Sequence, residues 1–177
     1  MGCPAKKVTN GYSGSALLRD LDHAVTLIDA VVGAVDVPVT LKTRLGWDDA
    51  CLNAAELAVR AERAGISMIT IHGRTRCQFY KGNADWGAIR AVKEAVSSPV
   101  IANGGICSAD VAREALRLSG ADGVMPVRGA QGAPWRLSQV AANLNGLPEP
   151  DAPVGHDLTE VVSAHYEAML TFYGAGL

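Results

Sequence analysis

Residues 67–86 read Ser-Met-Ile-Thr-Ile-His-Gly-Arg-Thr-Arg-Cys-Gln-Phe-Tyr-Lys-Gly-Asn-Ala-Asp-Trp, and they decide the fold. The stretch opens with a short apolar, β-branched run, the mark of a buried strand. It then turns polar at His72, Arg74, Arg76, Cys77, Gln78, Tyr80 and Lys81, and a helix is expected from position 84. Functional groups just past the C-terminal end of a strand are the layout of an α/β active site. A lone histidine there is more often a satisfied core residue. Here the same layout recurs on three other strands.

Outward from it, the chain predicts strands over 37–44, 68–72, 100–102 and 123–125. Helices are expected over 15–32, with Ser15 as N-cap and Gly33 as stop, and over 53–64, 84–96, 108–118 and 135–144. Residues 1–14 read as loop, 147–155 as a proline-bearing linker and 158–173 as a last helix. Repeated β-α units with short connections make a parallel sheet. A repeat of roughly 30 residues suits a (β/α)8 TIM barrel, of which four units are half. The chain begins in a loop with no strand before it, so a piece of a larger barrel is expected. A complete small doubly wound domain is the disfavoured alternative.

The 177 residues are enough for one domain with a real core, and 49% are hydrophobic. No apolar run is long enough to span a membrane, and no leader pattern opens the chain, so no membrane partner is expected. A formal charge of −2 gives no general attraction for nucleic acid, which would need a local basic patch. Cys3, Cys51, Cys77 and Cys107 form no C-x-x-C pair and no metal-ligand spacing, so no metal is expected and a reducing, cytoplasmic setting fits.

The strand ends carry the chemistry. Lys42 and Arg44 share one face of the first strand. His72 and Arg74 follow the second. Asn103-Gly104-Gly105 follows the third, where bare backbone N–H groups favour phosphate. Val127-Arg128-Gly129 follows the fourth, and late β-α loops are the usual phosphate site of a barrel. Together these fit a phosphorylated cofactor with an anionic ring near Lys42.

Met1-Gly-Cys-Pro-Ala-Lys-Lys-Val, Lys42-Thr-Arg-Leu-Gly, His72-Gly-Arg-Thr, Tyr80-Lys-Gly-Asn-Ala-Asp-Trp, Asn103-Gly-Gly-Ile and Arg128-Gly-Ala-x-Gly-x-Pro-Trp resemble, in order, the motifs of the tRNA-dihydrouridine synthases, DusB-type branch. The resemblance covers nearly the whole chain. It implies an FMN-dependent oxidoreductase that reduces the 5,6 double bond of tRNA uridines with electrons from NADPH. It also implies the C-terminal half of the barrel: 1–146 as part of the FMN-binding domain, 147–156 as linker, and 157–177 as the start of a helical RNA-binding domain. By resemblance Cys3 is the catalytic proton donor to C5 of the uracil. Lys42 and His72 lie at the flavin, while Asn103, Gly104, Gly105, Val127 and Arg128 hold its phosphate. Arg44, Arg74 and Tyr80 lie on the substrate side.

Cys77 is the competing thiol, and Cys51 and Cys107 read as structural. The family pattern has glycine where this chain has Val127, and the added Cβ weakens the phosphate loop. The alternatives are an inactive half-barrel and another flavin- or phosphate-binding barrel enzyme acting on a small metabolite. The open edge of four strands offers a route to self-association. The chain alone is expected to bind FMN weakly or not at all, and to make no dihydrouridine.

Overall fold

The computed structural model describes residues 1–174; positions 175–177, the end of the expected 157–177 segment, lie outside the described residues. Its elements run α1 (Lys6–Thr9), α2 (Leu21–Ala34), β1 (Thr40–Arg44), α3 (Ala54–Arg63), β2 (Met68–His72), α4 (Arg90–Ala95), β3 (Val100–Asn103), α5 (Ala109–Ser119), β4 (Gly123–Met125), α6 (Arg136–Leu144) and α7 (Gly155–Tyr173).

The four strands are parallel and neighbour one another in chain order. A doubly wound sheet would reverse its order partway. Here each strand lies beside its successor, and α2 through α6 pack each against the next. That is half of the eight-unit (β/α)8 arrangement. Leu41, Ile69, Ile71, Val100 and Ala102 alternate along the strands, and all are buried against the helices in one core with Leu57, Ala58, Ile89 and Val92. The opposite face carries Lys42, Thr70 and Ile101 in one register row, and Arg44, His72, Asn103 and Met125 in the next. The second row is the C-terminal end of the sheet, so the expected site residues arrive there together.

Several boundaries differ from expectation. Ser15 caps no helix. It lies in a 3-10 turn, Gly14–Arg19, and α2 starts later, with the Asp20 carboxylate accepting from His23 N–H. Gly33 lies inside α2 rather than ending it. The 1–14 loop contains α1. β1 starts at Thr40, because Pro38 has no N–H to give the ladder. The helix expected over 84–96 is a 3-10 turn, Gly87–Ile89, followed by the short α4. Elsewhere the local chemistry holds: Ser108 accepts from Val111 N–H at the start of α5, and Gly120 ends it at φ 65°. The last helix begins at Gly155, inside the expected linker, and is exposed along its length.

At the far end of the sheet, side chains act as staples. Glu62 accepts from the N–H groups of Ser97 and Ser98 and from the Ser98 hydroxyl, at 2.6–2.9 Å. Asp122 bridges Lys93 and Val100 N–H.

Candidate active site

A cleft of about 530 Å3 opens over the C-terminal ends of the strands, within the range of about 300–1,000 Å3 usual for ligand pockets. Its walls include Cys3, Lys42, Arg44, His72, Tyr80, Asn103, Gly104, Gly105, Val127 and Arg128. Of the site residues expected from the sequence, only Arg74 is missing from them.

The floor is a chain of directed hydrogen bonds. Lys42 Nζ donates to Asn103 Oδ1 at 2.9 Å, and Asn103 Nδ2 donates to Met125 O at 2.6 Å. The amide is therefore fixed with its oxygen toward the ammonium. The desolvating surroundings, then Arg44, hold the Lys42 pKa below its usual value. His72 is pushed down to about 3, first by burial and then by Arg44, Lys42, Arg74 and Arg128. Its imidazole is neutral at any physiological pH, and its buried Nδ1 has no protein partner.

Arg44 is buried and is held by carbonyls. Nε donates to Gly2 O at 2.8 Å, and Nη1 donates to Thr75 O at 2.9 Å and Phe79 O at 2.8 Å. One guanidinium thus ties the Cys3 segment to the loop after β2. That loop carries backbone strain: Phe79 sits at φ 52°, where a side chain costs about 1–3 kcal/mol. The Arg44 bond to its carbonyl offsets part of that cost. Arg74 does not line the cleft and donates to Lys81 O at 3.1 Å and Gly82 O at 2.7 Å. These bonds hold the loop after β2. Tyr80 projects between Arg44 and Arg128, whose guanidinium carbons lie 5.4 and 5.1 Å from its ring centroid.

The Cys3 segment, read as a loop with nothing before it to hold it, is in fact well anchored. Ser15 is fully buried, and both its N–H (3.0 Å) and its hydroxyl (2.7 Å) donate to Cys3 O. Gly14, at φ 60°, packs so closely that a Cβ there would lie 2.7 Å from Cys3 O. The side chain of Cys3 stays exposed on the cleft.

At the other end, two loops press together. A Cβ on Gly129 would lie 2.5 Å from Ile106 O and 2.7 Å from Cys107 Cα. The N–H groups of Gly104, Gly105, Ile106, Val127, Arg128 and Gly129 make no hydrogen bond among the described residues. Gly104 and Gly105 have φ of 110° and 74°, and Trp86 Nε1 holds Gly104 O at 2.9 Å. Unpaired amides on two closely packed loops beside Arg128 have the chemistry of an anion-binding nest. Val127 lies 53% exposed at its lip.

These residues suit FMN: a cation and a neutral imidazole on the floor, and unpaired amides at one end for a phosphate. Sequence reasoning missed Ser15 and Cys107 as parts of the site, and it placed Gly129 in the phosphate loop without the close approach to Ile106 and Cys107. Cys107, read as structural, is exposed on the cleft wall. Its place beside the Asn-Gly-Gly segment was the available signal. Among the described residues no cluster of side chains is fit to hold a metal, and no helix is long and apolar enough to cross a membrane.

A family model described as dihydrouridine synthase (Dus) matches residues 1–177. A probable tRNA-dihydrouridine synthase of Rhodobacter capsulatus is 66% identical over 177 residues, covering 100% of this chain and 55% of that protein. One of Rhizobium leguminosarum is 58% identical over 174 residues, covering 98% and 53%. The tRNA-dihydrouridine synthase B of Vibrio vulnificus is 47% identical over 175 residues, covering 98% and 54%. The chain spans about half the length of these relatives.

Proposed function

The chain belongs to the dihydrouridine synthase family, and on that premise we propose that its cleft is the FMN and uridine site of a tRNA-dihydrouridine synthase. The observation that carries the reading is one cleft with an anchored thiol at its mouth, a neutral histidine and an Asn103-held lysine on its floor, and unpaired amides at its end.

Bound there in reduced form, the flavin would supply hydride to C6 of the uracil, with NADPH as the source of its electrons. The remaining work falls to the chain's own groups. The nest and Arg128 hold the phosphate, and their fixed dipoles need no reorganisation to do so. Lys42 favours negative charge on the ring, where Asn103 holds its ammonium in place. His72, being neutral, borders the ring without adding charge. Cys3 donates the proton to C5 as hydride arrives at C6, so the 5,6 double bond gains two hydrogens in all and the thiolate is left to be reprotonated from water. Arg44 and Tyr80 lie on the substrate side of that geometry, and a tRNA substrate would place the reaction in the cytoplasm.

The test is a flavin-fluorescence titration of the 177-residue chain. Four strands leave the concave face open to water, so binding is expected to be weak but saturable, and weaker by tenfold or more in Lys42→Ala. Equal binding by wild type and Lys42→Ala would refute the assignment. Turnover with NADPH and unmodified tRNA is not expected from this chain alone. Dihydrouridine that disappears in Cys3→Ala would support the donor role, and would show that four units suffice.

A further inference from the structure

The net charge of −2 hides a strongly uneven distribution. The ion pairs among the described residues lie on the outer helices and at the far end of the sheet. Arg60 pairs with Asp22 and Glu56, Lys93 with Asp122, Arg113 with Asp110, and Arg117 with Glu114. None of the cations on the active-site side has a carboxylate partner. Some of these line the cleft. Others lie outside it: Lys6 and Lys7 on α1, Arg19 at the end of the 3-10 turn, and Arg76 in the loop after β2.

Those four belong to one surface. Arg76 Nη2 donates to Thr9 Oγ1 at 3.1 Å, which joins the loop to α1. Arg76 and Arg19 lie over the Trp47 ring, 4.6 and 5.0 Å from its centroid, and Arg76 also lies 4.8 Å from that of Phe79. The backbone closes the arrangement, with Arg76 N–H donating to Gly46 O and Cys77 N–H to Trp47 O. Of the neighbouring carboxylates, Asp20 caps α2, Asp48 accepts from Ala50 N–H, and Asp49 is exposed and forms no ion pair with the rim. Lys6, Lys7 and Arg19 are exposed. The surface runs on from Cys3, three residues before Lys6, so it is continuous with the mouth of the cleft.

We propose that this rim is a landing surface for RNA phosphodiesters, seating the backbone that flanks the nucleotide in the cleft. The inference rests on the reading that the cleft receives a tRNA uridine. The Trp47 indole is engaged by two guanidiniums, so the rim reads backbone charge rather than bases, and its contribution is independent of sequence. It also shifts RNA contact toward the barrel itself. α7, in the segment expected to begin the RNA-binding domain, carries Asp157, Glu160 and Glu167 and no Lys or Arg.

The experiment follows fluorescence anisotropy of a fluorescein-labelled unmodified tRNA transcript with the 177-residue chain over a range of KCl concentrations. Three forms are compared: wild type, the triple variant Lys6→Ala/Lys7→Ala/Arg19→Ala, and a charge-matched control, Arg63→Ala/Arg113→Ala/Arg117→Ala, on the outer helices. The rim triple should bind tenfold or more weakly at low salt, and its log K against log[KCl] slope should fall by about 2, at about 0.7–0.9 per lost phosphate contact. The control should change by less than twofold. Its FMN titration should match wild type, as should that of the rim triple, since both leave the cleft intact. Equal weakening in rim and control variants, or no weakening in either, overturns the proposal. So does tighter binding of polyglutamate than of RNA, which would assign the patch to an acidic protein. Selective loss of RNA in the rim triple, combined with FMN binding indifferent to Lys42→Ala, would sink the flavin reading and leave the rim standing.

Discussion

Gly129→Ala probes the closest approach in the site. The added methyl would start 2.5 Å from Ile106 O and 2.7 Å from Cys107 Cα. Both atoms are backbone, so no side chain can swing aside, and ordinary contact requires the two loops to part by most of an ångström. Overpacking of this kind costs about 1–3 kcal/mol. The same displacement pulls the amides of 127–129 away from those of 104–106, so a shared anion loses one side of its nest. FMN affinity should fall at least tenfold, equivalent to about 1.4 kcal/mol. Gly33→Ala is the matching control. Its Cβ would meet nothing within 4 Å, and the position lies inside α2, so the exchange should stabilise by up to about 1 kcal/mol and leave FMN binding alone. Urea unfolding and flavin titration measure both variants. A Gly129→Ala protein with wild-type FMN affinity would refute the two-loop nest.

Three further outcomes follow from the same geometry. His72 in the unfolded chain takes up a proton near pH 6.5, whereas in the fold it does so only near 3. Stability should therefore fall as pH drops from about 6.5 toward 3, and His72→Gln should flatten the upper part of that fall in urea titrations run at several pH values. Ser15→Ala removes one of two hydrogen bonds to Cys3 O. A loss of about 0.5–1.5 kcal/mol is expected, with Cys3 alkylation less sensitive to bound FMN than in wild type. Val127 lies at φ −132°, outside the left-handed region that favours glycine. Val127→Gly should therefore act by clearing its Cβ from the lip and raise FMN affinity several-fold by fluorescence titration; an unchanged value would discount the steric argument.

Short apolar, β-branched runs were enough to read the sheet, and the four parallel strands lie on those runs. The convergence of Lys42, His72, Asn103 and Arg128 followed from their common place after strand ends. Contacts between distant segments were not legible. Ser15 looks like a helix cap, because its true partner is a carbonyl twelve residues back. Arg44 and Arg74 look alike in sequence, yet Arg44 lines the cleft while Arg74 is turned onto the Lys81 and Gly82 carbonyls. Gly129 looks like an ordinary turn glycine, and its need for a bare Cα comes from Ile106 and Cys107 on another unit. The basic rim was invisible to net charge, which sums over the whole chain and says nothing of where the charges lie.

The four free cysteines allow one measurement to test the cleft directly. Cys3 and Cys107 line it from opposite loops, while Cys51 and Cys77 do not. Iodoacetamide labelling of the 177-residue chain, quantified for each cysteine by peptide mass spectrometry with and without millimolar FMN, reads all four at once. The account expects FMN to slow alkylation of Cys3 and Cys107 and to leave exposed Cys77 unchanged, with protection lost in Lys42→Ala. Protection of Cys77 to the same degree, or none at Cys3, would contradict a flavin site under the Cys3 thiol.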